Sequence, residues 1–425
     1  MKLIADLHIH SRFSRATSKE LTIGNLEKYA RIKGLNLLST GDFTHPEWIK
    51  DLKSNLEEDS TGILKTKSNF PFVLQTEVSL IYTQDNKGRR IHNVVLAPDF
   101  DAVEQITEYL KKHGRVDYDG RPIFKIPCDE FVYELRKING NIEVIPAHIW
   151  TPWFSLFGSM SGFDSVEECF KDQSKHIHAL ETGLSSDPAM NWRLSSLDKY
   201  ALISCSDLHS FWPWRIGREA TLFDCDLDYK SLLKAIRTKD GLSGTIEVDP
   251  NYGKYHLDGH RNCNVCMNPR DSIKIKKICP KCKRPLTIGV LHRVEELADR
   301  EEGFKPKDAK EFYSLIPLSE IISRLIGSGI ATKKTWGEYG KLVSKERSEL
   351  DVLIKLSPDE LKKLTDEKIA EAIINNRKGK IPINPGFDGE YGYPVFDKNT
   401  DGKKETSENV MDAKKPAQTG LTEFL

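Results

Sequence analysis

No run of about eighteen apolar residues occurs in the chain, which excludes a membrane-spanning helix. An export signal is lacking as well: the opening MKLIADLHIH is too polar and too poor in apolar residues, and it reads as a buried strand. Excess charge of one sign is also missing. The 63 Lys and Arg balance 63 Asp and Glu, which excludes a wholly basic nucleic-acid coat and leaves local patches open. Cysteine is sparse, eight in 425 residues; four of the eight fall in two tight pairs and the rest are scattered. Without an export signal, that distribution favours a metal site over disulfides, in a reducing cytoplasm. No internal repeat is visible. What remains is 38% hydrophobic and 30% charged, long enough for two or three domains and an ample core.

Residues 1–245 alternate short β-branched or apolar runs with helical patterns. The runs at 3–8, 35–40, 72–78, 92–97, 142–148, 178–182 and 201–206 read as strands; 25–33, 102–112, 130–138 and 229–237 read as amphipathic helices. Strands alternating with helices predict a parallel sheet, and seven of them fit a distorted α/β barrel; an open doubly wound sheet is the alternative. From Gly244 the polar, glycine-rich GTIEVDPNYGKYHLDGH reads as a connection between domains. Residues 246–289 therefore form a linker with a cysteine-paired segment, and 290–396 a helical C-terminal domain with no strand signal. There Leu318, Ile321, Ile322 and Leu325 share one helix face. Ser357-Pro358-Asp359-Glu360 combines an N-cap, a first-turn proline and a capping-box glutamate, and helices are expected over 341–355, 358–364 and 367–376. Residues 397–425 are too polar to build a core and are expected to be a disordered tail.

The strongest chemical signal is the placement of His, Asp and Glu at predicted strand ends. His8 and His10 sit at i, i+2, on one face of a strand. Asp42 follows the second strand and Glu77 lies near the end of the third. His148 ends the fifth, Glu181 the sixth, and Asp207 and His209 repeat the i, i+2 spacing after the seventh. In parallel α/β barrels those ends form one face, so the groups can converge. His92 is the exception, because it opens its run. Imidazole with carboxylate suits zinc, manganese or iron, and a shared carboxylate suits ions about 3.5–4 Å apart.

Five of the seven tryptophans lie near these residues, among them Trp150, Trp153, Trp212 and Trp214, with Arg215 and Arg218 close by. Such aromatic density at a barrel mouth suits flat ligands, and arginine beside it suits a phosphate attached to a base. The alternative is loops packed on each other as a lid. Cys263, Cys266, Cys279 and Cys282 form two C-x-x-C pairs, the pattern of a structural zinc site. Residues 260–289 carry a net charge of +7; Lys274, Lys276 and Lys277 lie at its centre and point to nucleic-acid phosphates. Gln418, Leu421, Phe424 and Leu425 have the spacing of a sliding-clamp-binding peptide, though Leu425 stands where a second aromatic is usual.

The H-x-H at His8/His10, the Thr40-Gly41-Asp42 motif and the D-x-H at Asp207/His209 resemble the polymerase and histidinol phosphatase (PHP) superfamily over residues 1–245. Asp42 departs from that pattern by standing where histidine is usual. The resemblance implies that His8, His10, Glu77 and Asp207 hold one ion and carry the chemistry. It further implies that Glu77 bridges to a second ion on His92 and His148, and that Asp42 and His209 face a third. Two or three divalent ions (zinc, manganese or magnesium) and one structural zinc would be the cofactors. Barrel, basic knuckle, helical region and clamp peptide together resemble the archaeal endonuclease Q family, in a cytoplasmic, nucleoid-associated setting. That resemblance implies cutting of DNA on the 5′ side of deaminated bases (hypoxanthine, uracil, xanthine) and of abasic sites, with a PCNA-type clamp as partner and no membrane. From the residues alone the reading stops at a metal phosphoesterase acting on nucleic acid. A small-molecule phosphatase of histidinol-phosphate type, or a non-catalytic clamp-bound DNA scaffold, stay open as alternatives.

Overall fold

In the computed structural model, which describes residues 2–396, the sheet is built around Lys2–Asp6 (β1). Leu3 and Ala5 alternate into the core beneath it. Leu37–Ser39 (β2) and Pro71–Gln84 (β3) follow in parallel register. Helix Ile23–Lys33 makes the first crossover, capped by the Thr22 side chain.

The parallel run stops there. Lys87–Ala97 (β4) doubles back antiparallel along β3, and Glu143–Pro146 (β5) pairs antiparallel with β4. The expected all-parallel sheet is therefore mixed, and the reason is local. Asp85 and Asn86 adopt φ of +53° and +57°, the two-residue turn whose twist matches that of paired strands. The runs read as separate strands at 72–78 and 92–97 are the two arms of one hairpin.

Ala179–Glu181 (β6) and Ala201–Ile203 (β7) pair parallel with each other and stand between β5 and the far flank of the sheet. On that flank Ala220–Asp224 (β8) pairs antiparallel with β1, and Leu242–Glu247 (β9) antiparallel with β8. The sheet curls into a distorted α/β barrel, the fold class expected from the sequence.

Beyond residue 285 the chain is not purely helical. Glu311–Ser314 (β10) adds to the barrel sheet parallel to β9. The helix expected over 341–355 is instead divided. Helix Lys333–Leu342 ends before a turn in which Ser344 and Arg347 bridge, and Asp351–Lys355 forms a short π-helix. Leu318–Leu325, Pro358–Leu364 and Glu367–Arg377 are helical, and the capping box at Ser357 and Glu360 is formed. This region is clamped to the barrel by a buried pair: Lys33 Nζ lies 2.8 Å from Glu349 Oε1 and donates to the Pro213 carbonyl at 2.9 Å. Among the described residues no helix is long and apolar enough to cross a membrane. The tail from 397, with Gln418, Leu421, Phe424 and Leu425, lies outside the described residues.

Candidate metal centre

Beyond β1 the chain stays extended, so His8 and His10 point to one side while Ile9 between them bridges Leu208. That bridge sets Asp207 beside both imidazoles. His10 Nε2 lies 3.0 Å from Asp207 Oδ1 and 3.2 Å from Glu77 Oε2. His8 Nε2 lies 3.6 Å from Glu77 Oε2 and 3.8 Å from Asp207 Oδ1. Asp6, buried beneath, accepts from the Ser206 and Gly217 N–H groups at 3.0 Å each and ties the Asp207 loop to β1.

The inward atoms His8 Nε2, His10 Nε2 and Asp207 Oδ1 are buried with no hydrogen-bond partner. Buried polar atoms are normally paired, so four converging orphaned or shared donors fit a divalent ion. His8, His10, Glu77 and Asp207 form one such group, with ligand atoms all within 4.8 Å of one another, and Glu77, His92 and His148 form a second. Glu77 Oε1 faces the second group, 2.7 Å from His92 Nδ1 and 3.2 Å from His148 Nε2. One carboxylate therefore serves both, one oxygen to each. The hairpin explains His92. Because β4 runs antiparallel, the start of its hydrophobic run lies at the site end, opposite Ser79 and two residues past Glu77.

Backbone strain gathers here: Asp42, His148 and Asp207 all have positive φ, at 42°, 30° and 46°. Gly183 is required beside them, since a Cβ there would lie 2.5 Å from the His148 Cβ.

Two further carboxylates hold the imidazoles from behind. Glu181 accepts from His8 Nδ1 at 3.0 Å and from the His148 N–H at 2.8 Å; Asp42 accepts from His10 Nδ1 at 3.0 Å. Each leaves an Nε2 lone pair directed inward. Burial opposes ionisation of Glu77, yet His92, Arg121 and His8 hold it well below the usual carboxylate range. Asp42 and His209 belong to neither ligand group. Asp42 stands behind His10; His209 lies at the rim, its ring 4.9 Å from that of His10 and its Nδ1 2.9 Å from the Asp207 carbonyl oxygen. Arg121, in a loop with no motif to single it out from sequence, reaches Glu77 at 3.0 Å.

Residues 317–380 match the family model described as the MJ0043 C-terminal domain. The chain is 36% identical over 293 residues to the uncharacterised protein MJ0043 of Methanocaldococcus jannaschii, covering 67% of this chain and 35% of that protein. It thus spans about a third of that relative's length. It is 29% identical over 410 residues to the uncharacterised protein YqxK of Bacillus subtilis, covering 92% of this chain and 98% of YqxK. Among solved structures, the lesion-specific endonuclease PfuEndoQ from Pyrococcus furiosus superposes with a TM-score of 0.84 at 31% identity, over 97% of this chain and 99% of that one. Endonuclease Q in complex with a 27-mer duplex carrying an abasic lesion at the active site gives a TM-score of 0.83 at 32% identity, over 94% and 97%. This chain belongs to the endonuclease Q family of enzymes.

In this member of the endonuclease Q family the four tryptophans singled out from sequence separate. Trp150 is 1% exposed and donates to Asn191 at 2.8 Å, so it is a core residue and cannot stack on a ligand. Trp212 and Trp214 are half-buried and stack on each other at 5.3 Å, both against Trp336 of the helical region. Trp153 is 38% exposed, edge-on to Tyr255 at 5.6 Å. Arg218 donates to the Ser206 carbonyl beside Asp207, and Arg215 lies half-buried on the same loop. Lys274 pairs with Asp271 and Lys277 with Glu296, each at 2.9 Å; Lys276 adopts φ of +57° between them.

The knuckle gathers Cys263, Cys279 and Cys282 with His260, whose Nδ1 is 3.4 Å from Cys282 Sγ. Cys266 is exposed and outside this group. It sits on strand Val265–Met267, paired to Gly259, and the two-residue period turns it away from the other thiols. Desolvation opposes it, but the Cys282 and Lys281 N–H groups lower the Cys279 thiol to about 6, ready for a soft cation. Cys266→Ser is expected to retain one knuckle zinc per chain by atomic emission, whereas Cys279→Ser and His260→Ala lose it. Cobalt substitution should give the spectrum of a three-thiolate site; loss of the ion in Cys266→Ser would restore the four-cysteine assignment.

Proposed function

We propose that this chain is a metal-dependent DNA repair endonuclease that hydrolyses the phosphodiester 5′ to deaminated bases (hypoxanthine, uracil, xanthine) and to abasic sites. The observation that carries the reading is Glu77, one carboxylate shared between two sets of inward ligands, the first of which keeps His8 Nε2, His10 Nε2 and Asp207 Oδ1 buried without a hydrogen-bond partner. His8, His10, Glu77 and Asp207 would hold one divalent ion (zinc, manganese or magnesium), and Glu77, His92 and His148 a second. Ions there supply Lewis acidity toward the phosphate and lower the pKa of water. The chain's part is to hold the Nδ1 protons of His8 and His10 on Glu181 and Asp42, so that neither of these imidazoles turns away, and to keep the cluster buried on strained, pinned backbone. Asp42, with its oxygens already accepting from His10, Ser11 and Ser14, does not fit a third ion.

Support for a lesion in duplex DNA as substrate comes from the likeness to endonuclease Q bound to such a duplex. A base turned out of the stack costs a few kcal/mol, and Trp153, exposed and edge-on to the half-buried Tyr255, would offset part of it by stacking. The basic knuckle, with its ion in the His260 site being zinc, would hold the backbone of either strand, and residues 418–425 would recruit a PCNA-type sliding clamp. The nucleoid in the cytoplasm would be its working place.

The test is a nicking gel on duplexes with a single uracil, hypoxanthine or abasic site beside an undamaged control. Expected are cuts on the 5′ side of each lesion, abolished by chelation. Deleting 418–425 should leave nicking of short duplexes unchanged and remove stimulation by a clamp. Turnover of a phosphomonoester with no nicking of any duplex would instead favour the small-molecule phosphatase.

A further inference from the structure

Arg121 belongs to neither group of metal donors, yet its Nη1 lies 3.0 Å from Glu77 Oε2, the oxygen that also faces His8 and His10. The loop that carries it is pinned from both sides. Asp119 accepts from the N–H groups of Arg15 and Arg121 at 3.3 and 3.2 Å. The Gly120 N–H donates to the Phe13 carbonyl at 3.1 Å, and Ile123 pairs with Ser79 on β3. Gly120 itself presses on Asp42. A Cβ there would stand 2.2 Å from Asp42 Oδ2 and 2.4 Å from Ser14 Oγ. Backbone therefore fills the space beside Asp42 that an ion facing it would need.

A guanidinium held beside two divalent-ion sites is repelled by both, and the Glu77 charge is already shared between them. Such a cation becomes favourable when an anion enters. The Arg121 side chain remains 27% exposed, so an anion from solvent can reach part of it. A planar fork with fixed charge matches the non-bridging oxygens of a phosphate better than an ammonium does.

We infer that Arg121 binds the phosphate to be cut, supplying the third cation of the centre in place of an ion facing Asp42. The inference rests on the endonuclease reading for the identity of that phosphate. No bond forms or breaks at Arg121 and no proton leaves it; its contribution is charge and orientation as negative charge grows on the phosphoryl oxygens.

Metal-loaded wild type, Arg121→Ala, Arg121→Gln and Arg121→Lys would be compared by metal content, by thermal protection with inorganic phosphate, and by nicking. Expected are wild-type ion content in all variants and phosphate protection lost in Arg121→Ala and Arg121→Gln. Their kcat should fall by about 10²–10³-fold, with partial recovery when guanidinium is added to Arg121→Ala. Arg121→Lys should lie between. Ion loss in both Arg121→Gln and Arg121→Ala would make the residue a support for Glu77 and overturn the inference. So would undiminished phosphate protection. If wild type nicks no duplex, the endonuclease reading fails while the phosphate arm still decides the role of Arg121.

Discussion

Glu77→Ala should lose both barrel ions and lower nicking of a lesion-bearing duplex by at least about 10³-fold. The argument is geometric. Glu77 is fully buried, and its two oxygens face different imidazole pairs: Oε2 toward His8 and His10, Oε1 toward His92 and His148. Removing any one histidine leaves one group of donors untouched. Removing Glu77 leaves the first group with one carboxylate and the second with none, and it strands Arg121 beside four imidazoles. Ion content by atomic emission should fall with activity, while duplex affinity, which the proposed reading assigns to the knuckle and the mouth, stays within a few-fold. Glu77→Ala with wild-type ion content and wild-type nicking would remove Glu77 from the centre.

Lys33→Met should cost the fold as much as emptying a large core site. Lys33 is 1% exposed and Glu349 fully buried. Glu349 also accepts from Tyr339 Oη at 2.8 Å and from the Leu318 N–H at 3.1 Å. Breaking a buried ion pair on one side leaves an uncompensated charge, a cost of about 3–5 kcal/mol. Adding Glu349→Gln removes that charge and keeps an acceptor for Tyr339 and Leu318, so the double variant should regain most of the loss. Urea midpoints of the single and double variants measure this. A Lys33→Met midpoint equal to wild type would mean that the helical region is not held to the barrel by this pair.

His8 and His10 were legible because strand periodicity puts i and i+2 on one side whatever the rest of the chain does. The Ser357 capping box was legible because its hydrogen bonds are closed within four residues. These are local geometries, and a local geometry is written in adjacent residues. The hairpin does carry a local signal, the two-residue turn pair Asp85-Asn86, but the rhythm of strands and helices around it points to separate strands. The hairpin is also the reason why His92, at the start of its run, belongs at the site.

Other features had no local signal. Asp42 and Glu181 look alike as strand-end acids, and only the packing of His10 and His8 against them makes them orienting groups. Trp150 and Trp153 stand three residues apart, one sealed in the core and the other open beside Tyr255. Cys266 has the spacing of a ligand, but its strand faces it outward and His260 takes the place beside the other three thiols. Arg121 lies in a loop of ordinary composition and matters only because Gly120 can approach Asp42 closely. By itself the sequence determined the ligand types, the α/β class and the capped helices, since spacing and propensity act over a few residues. Which donors face one another, which aromatics stay open and where a fixed cation replaces an ion were decided by tertiary structure, because each depends on the direction of chains that meet from far apart.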